Sequence, residues 1–488
     1  MSKPLKILFV ASEIVPLVKT GGLADVCNAL PSALRELGHD VRVALPCYGL
    51  IPLEYRGQQE HMCVADVSGK RVYGALRTGV IPDTDIPVYL VEHNDYFDRR
   101  GLYGENEQDY PDNLERFSFF NMALLHGVAQ TGWMPDLLHC HDWHAALIPV
   151  YLQTLGRDDP DWRGVPSLFT IHNLAYQGAF DVWQLPQTGL DSFVQAYELL
   201  LHRNNLNLLK GAVRCATRLN TVSPRYAEEI QTPEYGHGLE RELRARGNDL
   251  WGILNGVDYS FWHPSRDAFI PANYSIDDLS GKAVCKSALQ QRLGLAPRDV
   301  PIFAMVTRMD WQKGLDLMNR ALPILLENDV QFIILGTGDR MLENAFQDCA
   351  RAHPEKMRAM TEFDPELSHL IEAGADFFVM PSYFEPSGLS QLYSLAYGTV
   401  PIVRKTGGLA DSVKPLAPNQ TGDDIGTGIV FESPTVAALV QALEKAIPLY
   451  RSPDRLAAVR QAGMSRDFSW ERSANKYAQL YEETLARP

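Results

Sequence analysis

The feature that most constrains the fold of this chain is a heptapeptide that occurs twice. Lys19-Thr-Gly-Gly-Leu-Ala-Asp25 recurs letter for letter as Lys405-Thr-Gly-Gly-Leu-Ala-Asp411, near the other end of the 488 residues. A separation this long excludes a short-period solenoid. Each copy follows a strand-like run and opens a helical pattern, so the repeat predicts two similar α/β halves. A coincidence of strand-to-helix turn chemistry is the alternative explanation.

The residues around the first copy have the pattern of a βαβ unit. Residues 6–11 form a short apolar run, as in a buried parallel strand. Apolar residues then recur at helical spacing over 23–37, and Val41, Val43 and Leu45 occupy alternate positions, as in a second strand. Strand, loop, helix and strand in this order predict a parallel sheet.

A second series of strands begins after the segment Asn255-Gly-Val-Asp258. Its apolar runs cover residues 301–306, 331–335, 376–380 and 400–403. We therefore predict an α/β fold with two Rossmann-like domains. The expected boundaries are residues 1–254 for the first domain, 255–466 for the second, and 467–488 for a C-terminal amphipathic helix.

The charge composition disfavours two classes of partner. The net charge of −15, from 45 basic and 60 acidic residues, argues against nucleic acid and against an anionic membrane surface. Neither a signal peptide nor an apolar stretch long enough to span a bilayer is evident. Seven widely spaced cysteines without a C-x-x-C motif are typical of free thiols in a reducing compartment, so a cytoplasmic location is expected.

The Gly21-Gly22 turn is a candidate phosphate site. Paired glycines at a helix N-terminus allow the backbone to approach a phosphate, and Lys19 could neutralise part of its charge. The alternative is that the glycines only shape the turn. The motif is not G-x-G-x-x-G, so a dinucleotide-dependent oxidoreductase is disfavoured.

The second half carries charged residues after its strands. Arg308 and Lys313 follow the first strand of this half and could clamp a diphosphate, although they could also be ordinary surface charges. Gly336 begins a glycine-rich turn after the next strand. Glu385 follows a later strand and could bind sugar hydroxyls or simply cap a helix.

The segment His139-Cys-His-Asp-Trp-His144 looks at first like a metal site. Alternate residues of a strand point to opposite faces, and no second segment supplies further ligands, so we predict no metal. His172 and Asn173 end another strand and are candidate substrate contacts.

Taken together, these segments resemble the bacterial glycogen synthase and plant starch synthase family over nearly the whole chain. The resemblance rests on Lys19–Leu23, His141–His144, Thr170–Gly178, Leu254–Asp258, Arg308 with Gln312–Gly314, Glu385–Leu389, Arg404–Asp411 and Asp467–Trp470.

The resemblance implies the GT-B fold with its active site in the interdomain cleft. It also implies transfer of glucose from ADP-glucose to the non-reducing end of an α-1,4-glucan such as glycogen, with retention of configuration. It implies no metal or other cofactor. Open alternatives are a related transferase that uses UDP-glucose or another acceptor, and a non-catalytic glucan-binding protein. The sequence leaves open whether the chain is a monomer or a homo-oligomer.

The resemblance also assigns roles to individual residues. The expected catalytic residues are Glu385, Arg308, Lys313 and His172. The expected donor-binding residues are Lys19, Gly21, Gly22, Asp25, Asp142, Asn173, Asn255, Gly336, Gly388, Leu389 and Thr406. One departure is Ser387, where relatives commonly carry Cys, so a thiol-dependent effect at this position is not expected.

Overall fold

The computed structural model describes residues 3–57, 59–106, 108–417 and 425–487. The chain forms two compact units. The first comprises Met1–Val222, Ala227–Gly256 and Trp470–Pro488, and the second comprises Ser223–Tyr226 and Val257–Ser469. The main crossings therefore follow Gly256 and Ser469, a few residues beyond the expected boundaries at 254 and 466.

The first unit is built on a mixed sheet whose centre is parallel. The strands of this unit are β1 (Lys6–Val10), β2 (Asp40–Pro46), β3 (Gln59–Val67), β4 (Lys70–Val80), β5 (Pro87–Glu92), β6 (Gly104–Glu105), β7 (Gln108–Asp109), β8 (Leu137–His141), β9 (Ser167–Ile171), β10 (Ala179–Asp181), β11 (Leu201–His202), β12 (Asn205–Asn207), β13 (Arg218–Thr221) and β14 (Leu250–Gly252). In the described residues the large sheet has the order β14-β13-β9-β8-β1-β2-β5-β4-β3. Among the described strands of this sheet, β4 runs antiparallel to both of its neighbours, β3 and β5, and the other neighbouring pairs are parallel.

The helices between these strands are α1 (Gly22–Glu36), α2 (Asn94–Phe97), α3 (Asn113–Gln130), α4 (Leu147–Gln153), α5 (Val194–Leu200), α6 (Leu208–Cys215), α7 (Pro224–Glu229) and α8 (Glu240–Ala245). The start of α7 belongs to the second unit, which includes Ser223–Tyr226. The expected βαβ unit is confirmed, since β1 and β2 pair in parallel and α1 lies between them in sequence. The periodic apolar residues of α1 are buried, which is why the helix packs on the sheet.

The second unit contains a wholly parallel sheet. Its strands are β15 (Ile302–Val306), β16 (Gln331–Leu335), β17 (Met357–Met360), β18 (Phe377–Met380), β19 (Val400–Arg404) and β20 (Ile429–Phe431). Its helices are α9 (Ser280–Arg292), α10 (Leu315–Glu327), α11 (Arg340–Ala352), α12 (Pro365–Gly374), α13 (Ser390–Ala396), α14 (Gly407–Ser412), α15 (Val436–Tyr450) and α16 (Pro453–Met464). The strand order among described residues is β17-β16-β15-β18-β19-β20.

The last helix, α17 (Trp470–Leu485), belongs to the first unit. Its apolar side is buried, and the hydroxyl of Tyr481 forms a hydrogen bond of 2.8 Å with Nδ1 of His139 on β8. The Ser473 hydroxyl donates to the Leu254 carbonyl at 2.7 Å. The amphipathic pattern at the end of the sequence therefore corresponds to a helix that packs on the first sheet.

Both sheets reverse their strand order next to their first strand. In the first unit β1 lies between β2 and β8, and in the second unit β15 lies between β16 and β18. At such a point, the loops after two neighbouring strands go to opposite sides of the sheet, and a crevice opens between them. Ligands of doubly wound folds bind in this crevice. The candidate residues Lys19, Asp142, Arg308 and Glu385 follow β1, β8, β15 and β18 respectively.

Candidate active site

The glycine turn after β1 is held by a carboxylate that the sequence analysis did not single out. Glu13 accepts hydrogen bonds from the backbone N–H of Thr20 and, at 3.1 Å, from that of Gly21. The Tyr103 hydroxyl donates to the same carboxylate at 2.6 Å. Two N–H groups of the proposed phosphate turn are therefore bonded to the protein itself.

Lys19 and Asp25 flank this turn and form an ion pair. Lys19 Nζ lies 2.7 Å from Asp25 Oδ1, and the lysine side chain is 45% exposed. Burial raises the pKa of Asp25, and the charge of Lys19 partly offsets that effect. The lysine is thus held at the start of α1 while remaining accessible to an anionic ligand.

The side chain of Asp142 connects the end of β8 to the end of β9 by hydrogen bonds. Its Oδ1 accepts the backbone N–H of His172 at 2.8 Å, and the backbone N–H of Asn173 also donates to this carboxylate. Asp142 adopts a φ of 54°, which is uncommon for a residue with a side chain. Three sequence-predicted residues, Asp142, His172 and Asn173, are therefore brought together at one edge of the sheet.

We expect Asp142 to make the stability of the first unit depend on pH. Burial raises the pKa of its carboxyl from 3.8 to about 7. Between pH 3.8 and about 7, the native carboxyl therefore keeps a proton that the unfolded chain has released. The contribution of this group to the free energy of unfolding is present below pH 3.8 and is lost as pH rises toward 7. Thermal unfolding at pH 5 and pH 8 tests this expectation. Between these pH values, the Tm of the unsubstituted protein should fall more than the Tm of Asp142→Asn. Parallel losses would contradict this assignment.

Asn255 and the histidine-rich segment have different surroundings. Asn255 is buried just after β14, and its Oδ1 has no hydrogen-bond partner among the described residues.

The rings of His139 and His141 stand 4.1 Å apart, with Phe9 against both. In the described ranges, no three side chains of His, Cys, Asp or Glu are arranged to hold a metal ion.

In the second unit, Lys313 and Glu385 meet across 72 residues of sequence. Lys313 Nζ lies 2.7 Å from Glu385 Oε2, and the side chain of Glu385 is only 7% exposed. Ser382 donates to the same oxygen at 3.1 Å. Both charged groups line a cavity of about 70 Å³, together with Thr307, Ser390, Gly388 and Leu389. The ends of β15 and β18 thus form one charged pocket.

The loop that carries Glu385 is held through its backbone. The guanidinium of Arg404 donates to the carbonyls of Ser382 and Tyr383, and Gln312 Nε2 donates to the Phe384 carbonyl at 3.1 Å. The Gly408 N–H, in the second copy of the heptapeptide, donates to the Glu385 carbonyl at 3.0 Å. Here too the turn is bonded to the protein, and this contact positions Glu385.

The remaining candidates of the second unit lie near this pocket or on neighbouring turns. Arg308 is about half exposed, and its Nη2 lies 3.8 Å from Oδ2 of Asp310. Gly336 packs so closely on the Thr307 carbonyl that a side chain would collide with it. Thr406 is buried at the start of α14. Ser387 is also buried, and its Oγ has no hydrogen-bond partner in the described part of the chain.

Glu13 and Tyr103 are the main site residues absent from the sequence analysis. Glu13 follows β1 by only a few residues, so its position at the carboxyl end of a strand was an available signal. Tyr103 reaches Glu13 from 90 residues away and also stacks on His144 at 4.4 Å. No local pattern indicates that contact.

Comparison with known proteins accounts for both units. Residues 6–245 match the family described as the starch synthase catalytic domain, and residues 289–461 match glycosyl transferases group 1. Glycogen synthase from Syntrophotalea carbinolica is 43% identical over 99% of each chain. Glycogen synthase from Anaeromyxobacter sp. strain Fw109-5 is 47% identical over 99% of this chain and 100% of its own. This chain belongs to the glycogen synthase family.

A solved structure agrees with that membership. The catalytic domain of starch synthase IV from Arabidopsis thaliana, bound to ADP and acarbose, superposes with a TM-score of 0.90 at 32% identity. It covers 99% of this chain and 100% of its own. The expected two-domain GT-B fold is confirmed, and the protein is a glycosyltransferase of the glycogen and starch synthase family. No helix within the described ranges is long and apolar enough to cross a bilayer.

Proposed function

We propose that this protein transfers glucose from ADP-glucose to the non-reducing end of an α-1,4-glucan, with retention of configuration, in glycogen synthesis. The observation that carries the proposal is the contact between Lys313 and Glu385 at the reversal point of the second sheet. The family to which the chain belongs supports the same donor and acceptor classes, as do the ADP and acarbose bound to the related starch synthase.

The charges of this pocket suit the chemistry of glucosyl transfer. Breaking the bond between sugar and phosphate places negative charge on the departing nucleotide and positive charge on the anomeric carbon. Lys313 and Arg308 would stabilise the nucleotide phosphates, whereas the carboxylate of Glu385 would face the glucosyl group. Groups held in place before the reaction need little reorganisation as charge develops, which is the main source of such stabilisation.

The first unit would supply further contacts to the donor and acceptor. Lys19 would bind an anionic part of the donor, since its ammonium is accessible beside the α1 N-terminus. His172 and Asn173 would bind sugar hydroxyls, with Asp142 fixing their backbone. Glu13 and Tyr103 would keep the glycine turn in shape for these contacts.

We also propose that transfer requires no metal ion. Arg308 and Lys313 would provide the positive charge that Mg²⁺ provides in many phosphoryl-transfer enzymes. Activity should therefore persist after exhaustive treatment with EDTA. Loss of activity that added Mg²⁺ or Mn²⁺ restores would overturn this part of the proposal.

The direct test is incorporation of radiolabelled glucose from ADP-glucose into glycogen by the purified protein. Digestion of the product with an α-1,4-specific glucosidase should release the label. Unlabelled UDP-glucose should compete poorly, and efficient competition would replace the donor assignment. Binding of maltooligosaccharide without any transfer would instead indicate a non-catalytic glucan-binding protein.

We expect Lys19→Ala to raise KM for ADP-glucose by about tenfold, because one charge-assisted contact of roughly 1.5 kcal/mol is lost. The value of kcat should change less than KM. Lys405→Ala is the matched control, since Lys405 occupies the same place in the second heptapeptide and pairs with the exposed Glu432. Equal effects of the two substitutions would remove the assigned role of Lys19.

We propose a cytoplasmic location for this activity. All seven cysteines lie in the described ranges and are free thiols, as is common in a reducing compartment. A reporter fusion in cells, followed by fractionation, tests this location separately from the activity.

A further inference from the structure

His141 is a buried histidine that none of the roles above employs. It is the last residue of β8, its ring stacks on Phe9 with centroids 4.8 Å apart, and its side chain has no exposed surface. Its Nδ1 lies 2.9 Å from Nε2 of His172. Its Nε2 has no hydrogen-bond partner among the described residues.

The contact between the two rings restricts where their protons lie. Burial lowers the pKa of His172 to about 3 and lowers that of His141 well below its usual value, so both rings are neutral near pH 7. A neutral imidazole carries one N–H and one acceptor nitrogen. One ring must therefore donate to the other, which leaves two arrangements.

In the first arrangement, His172 donates from Nε2 to Nδ1 of His141. The proton of His141 then lies on its own Nε2, where it is a buried donor without an acceptor in the described structure. In the second arrangement, His141 donates from Nδ1, and its Nε2 is a buried acceptor without a donor. The proton of His172 then lies on Nδ1.

The second arrangement is favoured for two reasons. Orphaned buried N–H groups are rare in proteins, whereas unsatisfied acceptors occur somewhat more often. The side chain of His172 keeps some exposed surface, and among the described residues its ring hydrogen-bonds only His141, through Nε2, so a proton on Nδ1 can reach a ligand. Neighbouring His139 offers no alternative partner, because its two ring nitrogens already bond Tyr481 and Thr170.

We propose that His141 is a positioning residue that donates Nδ1–H to His172 and so holds His172 in the Nδ1–H tautomer. His172 then presents an N–H donor to an oxygen of the sugar substrate. Without this bond the imidazole would favour the Nε2–H tautomer that neutral histidine prefers in water, and would present an acceptor at Nδ1. The substrate contact rests on the proposed function, but the tautomer does not.

The tautomer is measured directly by two-bond ¹H–¹⁵N correlation spectra of the protein with ¹⁵N-labelled histidine, at pH 7. The His172 signals are identified by their loss in His172→Gln. We expect a protonated Nδ1 in the unsubstituted protein and a shift to protonated Nε2 in His141→Phe. His141→Asn should keep the Nδ1–H form, because its amide N–H occupies nearly the same place as the donor it replaces. Protonated Nε2 in the unsubstituted protein would overturn the inference.

Kinetics provide the second readout. We expect His141→Phe to lower kcat/KM for glucosyl transfer by about tenfold, the worth of one hydrogen bond, and His141→Asn to restore most of it. His39→Phe is the matched control, because His39 is also buried and accepts the Leu5 N–H at 3.2 Å, at the amino-terminal end of β2. It should lose stability without changing the His172 signals or kcat/KM.

The possible outcomes separate the two proposals. A drop in activity that merely follows the loss of stability, equal in His141→Phe and His39→Phe, would make His141 structural and overturn the inference. An Nδ1–H signal in a protein that shows no glucosyl transfer would refute the proposed function and leave the tautomer assignment standing.

Discussion

Replacing Glu385 by Gln is expected to lower kcat for glucosyl transfer by about 100- to 1,000-fold, with little change in KM for ADP-glucose. The amide preserves the size of the side chain but removes the negative charge that would face the developing positive charge of the sugar. It also removes the negative charge that lies 2.7 Å from the ammonium of Lys313. Steady-state rates at several ADP-glucose concentrations, with glycogen in excess, separate kcat from KM.

Glu432→Gln is the matched control for this experiment. Glu432 also pairs with a lysine at 2.8 Å, but its side chain is 75% exposed and is not among those that line the pocket of Glu385. Exposed ion pairs contribute little to stability, so the control should have normal kinetics. A Glu385→Gln protein with near-normal kcat would show that this carboxylate does not act on the sugar.

The two copies of the heptapeptide are expected to respond very differently to the same substitution. Gly407→Ala should destabilise the second unit by about 2–5 kcal/mol. Its φ is +41°, and a Cβ atom there would lie 2.0 Å from the backbone oxygen of Glu385. Overpacking of this kind costs about 1–3 kcal/mol, and the left-handed backbone adds about 1–2 kcal/mol.

Gly407→Ala should also reduce activity by roughly 100-fold, since the Glu385 loop must move to relieve the collision. Gly21→Ala, at the same place in the first copy, is the control for stability. Gly21 has an extended φ of −152°, and no atom lies within 4 Å of its Cβ position. The free energy of unfolding of the Gly21→Ala protein should differ from that of the unsubstituted protein by about 0.5 kcal/mol or less. Equal destabilisation of both variants in urea unfolding would contradict this account.

Much of the fold was predictable because it depends on local patterns. The apolar run of β1, the periodic apolar residues of α1 and the strands of the second half all lie where their sequence places them. Hydrophobic periodicity and glycine at turns act over a few residues, so a single sequence reveals them. The family was likewise identified from motifs that remain in order along the chain.

The partners of the site residues were far less predictable. The sequence indicated that the Gly21-Gly22 turn could bind an anion, but it did not indicate that Glu13 occupies two of the nearby N–H groups. The second copy uses the Gly408 N–H to hold the carbonyl of Glu385 instead. Identical local sequences therefore have different acceptors in the two units.

The sequence by itself determined the two α/β units, the strand-to-helix turns and the kinds of charged residue that follow the strands. The tertiary structure decided which of these residues meet. Lys313 reaches Glu385, and His141 reaches His172, because β15 lies beside β18 and β8 lies beside β9. Such contacts join residues far apart in the chain, so they follow from strand order and packing rather than from any local pattern of residues.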